Sequence, residues 1–192
     1  MTDNREVLKQ CITDTIMHSK ELIEKYSDDG KSPDLIERVK DLPIEDLVSI
    51  GNILRSKYRA KEMPLEVQEN VKQIISLVMD RLREEEKIYV RTADDGSKNI
   101  YHNPEGGIYV FTRENLITVY AVLTRTTKIK ILPITNPFIR RFLLNMKSKS
   151  THIVLNGGSS PLTIEMNDVV EHIKGRDLDG LIDAAMMEDD GS

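Results

Sequence analysis

Residues 81–92 read Arg81-Leu82-Arg83-Glu84-Glu85-Glu86-Lys87-Ile88-Tyr89-Val90-Arg91-Thr92, and within this stretch the apolar pattern changes its period. Upstream, Val67, Val71, Ile74, Ile75, Val78 and Leu82 recur at spacings of three and four, which marks one buried face of a helix. The charged residues from Arg81 to Lys87 end that helix in solvent. From Ile88 onward apolar and polar residues alternate, as along a strand with one face buried. The chain is therefore expected to pass here from a helical part to a part that contains strands.

Reading back from this point, Pro64 opens the long helix and the connection Lys61-Glu62-Met63 precedes it. Residues 43–61 carry an apolar stripe of Ile44, Leu47, Val48, Leu54 and Tyr58. Gly51 weakens that helix by roughly 1 kcal/mol against Ala unless another element packs closely on it. Ser32 reads as an N-cap, with Pro33 as the first residue of a short helix that buries Leu35, Ile36 and Val39. A first helix over about 4–27 has Val7, Leu8, Cys11, Ile12, Thr15, Ile16, Leu22, Ile23 and Tyr26 at helical spacing, which places Cys11 in the core. Four helices with short connections predict a small bundle.

Reading forward, Asp94-Asp95-Gly96-Ser97 is turn chemistry, Asn99–His102 a returning strand and Asn103–Gly107 a second turn. Ile108–Phe111, Leu116–Leu123 and Lys128–Leu132 are expected strands. Thr135-Asn136-Pro137 caps a helix carrying Phe138, Ile139, Phe142, Leu143 and Met146. His152–Leu155 is a last strand, Asn156–Ser160 a turn, and Glu165 to about Lys174 a helix that Gly175 separates from an acidic tail. The expected class is α+β. A helical bundle over 1–87 precedes a mainly antiparallel sheet with one or two packed helices over 88–176, and 177–192 forms an acidic C-terminal tail.

A single cysteine rules out an intrachain disulfide and a Cys-rich zinc site. The apolar runs fall short of a membrane span, and no apolar stretch follows Met1–Glu6, so a cytoplasmic setting without membrane contact is expected. The four histidines, His18, His102, His152 and His172, show no metal-ligand spacing. No metal and no cofactor are expected.

Net charge is −5, but it is unevenly distributed. Residues 1–114 hold 18 basic and 23 acidic side chains, residues 115–164 hold seven basic and no acidic ones, and the last 28 residues hold two basic and nine acidic. The seven are Arg125, Lys128, Lys130, Arg140, Arg141, Lys147 and Lys149. Gathered on one side, they would attract phosphates or an acidic protein surface. No base-reading motif accompanies them, so nucleic acid would be held through its backbone. The acidic tail mixes Asp177, Asp179, Asp183 and Glu188 with Leu178, Leu181, Ile182 and Met186. One use for it would be to fold back on the basic segment and compete with an external polyanion.

Gly107-Ile108-Tyr109-Val110-Phe111, followed by Asn115-Leu116-Ile117-Thr118-Val119-Tyr120, resembles the terminal hairpin of the barnase/RelE-like ribonuclease toxins over some 15 residues. That resemblance implies a metal-independent ribonuclease, with His102 as acid or base, Arg113 or Lys128 holding phosphate, and Thr118 and Tyr120 as further residues of the site.

The reading that the charge pattern favours is a non-catalytic binding protein, a regulatory adaptor or inhibitor, with a protein partner expected and nucleic acid as the alternative. Ribonuclease activity and purely structural self-association through the helical half are its rivals.

Overall fold

The change of period at Lys87 is where helices give way to the sheet. In the computed structural model, which describes residues 4–59, 61–95, 97–126, 129–157 and 160–189, α1 (Asn4–Tyr26), α2 (Leu35–Val39), α3 (Ile44–Lys57) and α4 (Leu65–Glu84) precede β1 (Lys87–Thr92). There follow β2 (Ile108–Phe111), α5 (Glu114–Leu123), β3 (Lys130–Thr135), α6 (Phe138–Met146), β4 (His152–Leu155), β5 (Leu162–Glu165) and α7 (Met166–Asp189). The fold is α+β, with a mixed five-stranded sheet of order β3-β1-β2-β4-β5. Strands β1/β2, β1/β3 and β4/β5 pair antiparallel, and β2/β4 pair parallel. Strands β2, β3 and β4 thus run one way, and β1 and β5 the other.

The period of two sorts the sheet residues onto two faces. Ile88, Val90, Ile108, Val110, Ile153, Leu155, Leu162 and Ile164 point to one face. There they merge into one buried cluster with Leu22, Leu47, Leu54, Ile74 and Val78 of the N-terminal helices and with Ile139, Leu143, Val169 and Ile173 of α6 and α7. A single aliphatic core therefore runs through both parts of the chain. Gly51 is the seam. A Cβ there would lie 3.3 Å from the Leu162 methyls and 3.4 Å from Ile74. The close approach that justifies a mid-helix glycine is made by a strand as well as by a helix. Asn70 ties the bundle's first turn down, its Nδ2 donating to the carbonyls of Gly30 and Ser32 at 3.0 Å each.

The opposite face is aromatic. Phe111, Ile117 and Tyr120 form a second small core, with Tyr89, Tyr109, Leu116 and Ile129 packed against it. Arg91, 7% exposed, lies beside it. Its guanidinium stands 3.8 Å above the Tyr101 ring, and it donates to the Tyr120 hydroxyl at 2.7 Å and to Asp94 at 3.1 Å.

Several sequence expectations need correction. Leu116–Leu123 is not a strand but part of α5, so the hairpin behind the ribonuclease resemblance is absent. The cause is topological: β2 and β3 are parallel, and a parallel pair needs a crossover, which α5 supplies. Asn99–His102 forms only two isolated bridges, Thr92↔Ile100 and His102↔Ile108, because Tyr101 turns onto the Arg91 guanidinium. Strand β3 runs Lys130–Thr135 rather than from Lys128. Strand β5, whose Leu162 and Ile164 alternate with Thr163 and Glu165, lay hidden behind Ser160-Pro161. Helix α7 does not stop at Gly175 but continues to Asp189. Helix α2 starts after Asp34, and Ser32 caps nothing; its Oγ donates to Asp34 at 2.6 Å. Cys11 is only half-buried.

Because Leu162 is 1% exposed against α3, Leu162→Ala should cost about 3 kcal/mol. In urea unfolding followed by amide NMR, the native signals of α3 and those of β4 should be lost together at lower denaturant. A shift in one signal alone would mean that the two parts do not share a core.

Candidate functional site

Helix α6 leaves the edge strand β3 and buries Ile139, Leu143 and Met146 against the sheet and α7. Spacings of four and three put those side chains on one stripe. Arg140, Arg141 and Asn145 are turned to water, and Lys147, Ser148 and Lys149 follow, exposed, in the turn after the helix. The lysines stand at the helix C-terminus, where cations complement the backbone dipole. The nine residues of α6 span about 14 Å, so the outer face is a short basic strip.

The other sequence-predicted residues lie elsewhere. Lys130 opens β3 at the sheet end to which the chain returns at Lys147–Lys149, since β3 and β4 are parallel. Asp95 is near it: the Asp95 carboxyl is held below its ordinary range chiefly by Ser97 and, to a lesser degree, by Lys130. Arg125, with φ 53°, lies two residues past α5, the helix packed on the aromatic face, and not on α6. Lys128 lies outside the described residues.

Asp177, the first residue of the tail considered above as folding back on the basic segment, occupies Arg140. Its Nε donates to Asp177 Oδ1 at 3.2 Å, and Nη2 makes a second contact to the same carboxylate, so the fork is bidentate. Arg83 Nη2 reaches Asp177 at 3.8 Å from α4. The hydrogen bond from Arg140 holds the Asp177 carboxyl below its usual range. Among the described residues no carboxylate stands within ion-pair distance of Arg141, Lys147 or Lys149.

A second feature is a polar cleft of about 290 Å³ at the carboxyl ends of β2 and β4, lined by His18, Asp46, Arg113, Asn115, Asn156 and Ser160 among others. Its charged groups are already paired. His18 Nε2 is 2.7 Å from Asp46, and Arg113 binds Glu85 at 2.6 Å and Glu45 at 3.3 Å. Thr112 donates to Glu45 through its hydroxyl at 2.8 Å, and to Asn156 Oδ1 through its backbone N–H at 2.9 Å. Asn156 holds φ 50°, and its buried Nδ2 has no acceptor among the described residues. These pairs join positions 28 to 68 residues apart, a distance no local motif can announce.

The residues implied by the ribonuclease resemblance are not brought together. His102 contacts Ser150 Oγ at 3.0 Å at the start of β2, whereas Arg113 lies beyond its far end. Tyr120 holds Arg91, and Thr118 faces solvent. His152 contacts Thr151 and Asn103, and His172 sits 2.8 Å from Asp80. Among the described residues no group of three or more His, Cys, Asp or Glu is placed to hold a metal ion, and no helix is long and apolar enough to cross a membrane.

No protein-family model matches the chain, no curated protein is significantly similar to it, and no solved structure is significantly similar to it.

The His18–Asp46 contact ties α1 to α3, and the hydrogen bond from Asp46 raises the His18 pKa above its ordinary 6.5. Raised in the folded state, this group stabilises fully below pH 6.5, and its contribution is lost as pH rises through the folded pKa. A proton NMR titration should find His18 titrating above 6.5 in the native protein, and Asp46→Asn should move it back down. Equal values in the two proteins would remove the coupling.

Proposed function

We propose that this is a non-catalytic binding protein, of the adaptor or inhibitor kind, that engages an anionic partner through the outer face of α6. The observation that carries this reading is the burial of Ile139, Leu143 and Met146, which turns Arg140, Arg141, Lys147 and Lys149 outward in a segment without a carboxylate of its own. Arg140 already grips a carboxylate in bidentate fashion, the geometry in which guanidinium recognises carboxylate and phosphate most strongly. The strip sits on a protein whose net charge is −5, so any attraction for polyanions is local, not global.

The test is retention on immobilised heparin, a soluble polyanion standing for either kind of partner. The native protein should be retained at low salt and released steeply as salt rises. The triple variant Arg141→Glu/Lys147→Glu/Lys149→Glu should elute in the wash with unchanged circular dichroism. If it is retained as strongly as the native protein, the outer face of α6 is not the contact surface.

A further inference from the structure

We infer that Arg140 of α6 and Arg83 of α4 form a carboxylate site that the chain's own Asp177 fills in the isolated protein, and that an acidic segment of a partner protein takes the site by displacing the C-terminal part of α7. The inference rests on the binding reading above and names the partner class for it.

Two guanidinium groups from different helices converge on one carboxylate. Arg140 contributes the fork, and Arg83 adds a second positive charge at 3.8 Å. Asp177 occupies the site from a segment the fold holds weakly. Among the residues of α7 whose burial is described, Ile173 is the last that is buried, and Lys174 to Gly180 are exposed or half-buried. At Gly175 and Gly180 an added Cβ would meet nothing within 4 Å. Glycine inside a helix weakens it where no packing compensates.

Among the described residues, Asp177 and Arg176 tie the segment to the body, the Arg176 Nε and Nη2 binding Asp80 at 3.1 and 2.7 Å. Arg176 and Arg140 are about half exposed, at 48% and 49%. Exposed pairs of this kind hold loosely and are screened by salt. A segment secured this way is the part of a fold that opens at least cost.

The occupant indicates the partner's chemistry. It is a carboxylate on a helix whose sequence intersperses Asp179, Asp183 and Glu188 with Leu178, Leu181 and Ile182. An acidic peptide that mixes carboxylates with apolar residues imitates it. The group the Arg140 fork holds is a carboxylate, which a peptide supplies and a nucleic-acid backbone does not.

The test is fluorescence anisotropy of a labelled oligoglutamate peptide at low salt. It compares the full-length native chain, Asp177→Asn, and Asp177→Asn/Arg140→Gln, with thermal melts confirming that all three are folded. Asp177→Asn empties the site without shortening the helix and should bind about threefold more tightly than the native chain. Adding Arg140→Gln should abolish the gain. Equal or weaker binding by Asp177→Asn overturns the carboxylate site while leaving the heparin result to judge the α6 face separately. No binding of the peptide by either protein, with heparin still retained, also overturns it. If oligothymidylate of equal charge displaces the peptide at lower concentration than unlabelled oligoglutamate does, the partner class is overturned in favour of nucleic acid.

Discussion

The burial of three side chains on α6 is the constraint from which the charge arrangement follows. The helix links two parallel strands, β3 and β4, that are separated in the sheet by β1 and β2. It must cross the aliphatic face, and it does so on Ile139, Leu143 and Met146. With that stripe fixed, Arg140 and Arg141 have no direction left but outward. A helix register shifted by two residues would drive a guanidinium into the core, at a cost far beyond what a surface ion pair returns. Hydrophobic packing thus sets where the positive charge stands, and electrostatics acts only on what packing has exposed.

The sheet's two faces divide the labour. The aliphatic face joins the N-terminal helices to α6 and α7 through one core, so the elements that present Arg83, Arg140 and Asp177 are all anchored to the same body. The aromatic face is covered by α5 and closed around Arg91, whose charge is spent on Tyr120, Asp94 and the Tyr101 ring. Buried cations paired in this way hold structure in place and are not free for a partner. The contrast between Arg91 and Arg141 shows why a count of basic residues is a poor guide to a binding face: position relative to the pleat decides which charge reaches solvent.

Much of the architecture was legible because it is periodic. The helical stripes of α3 and α4, the alternation at Ile88–Thr92 and the amphipathic α6 follow from local spacing alone, whereas of the stripe expected on α1 only Leu22 and Tyr26 are buried. What failed to read locally was decided at a distance. Leu116–Leu123 is rich in β-branched residues and reads as a strand, but the parallel relation of β2 and β3, invisible in any window, makes it a crossover helix. Gly175 reads as a stop, yet α7 passes through it, supported on either side by Ile173 in the core and Asp177 on Arg140. For the site, the sequence shows a basic segment with no carboxylate of its own. It could not indicate that Arg125 follows α5 rather than α6, or which carboxylate of the acidic tail meets Arg140. The His18–Asp46 and Thr112–Asn156 pairs of the cleft carry no signal at all before the chain is folded.

The account stands on the outer face of α6 being the surface that meets an anion. Backbone amide shifts of the labelled protein, followed while a heparin-derived oligosaccharide is added, report that surface residue by residue. The account predicts that the largest shifts fall on the amides from Arg140 to Lys149, with a smaller set around Asp177 as its carboxylate is displaced. Shifts centred instead on the cleft of His18, Arg113 and Asn156, or on Arg125 and the aromatic face, would contradict it.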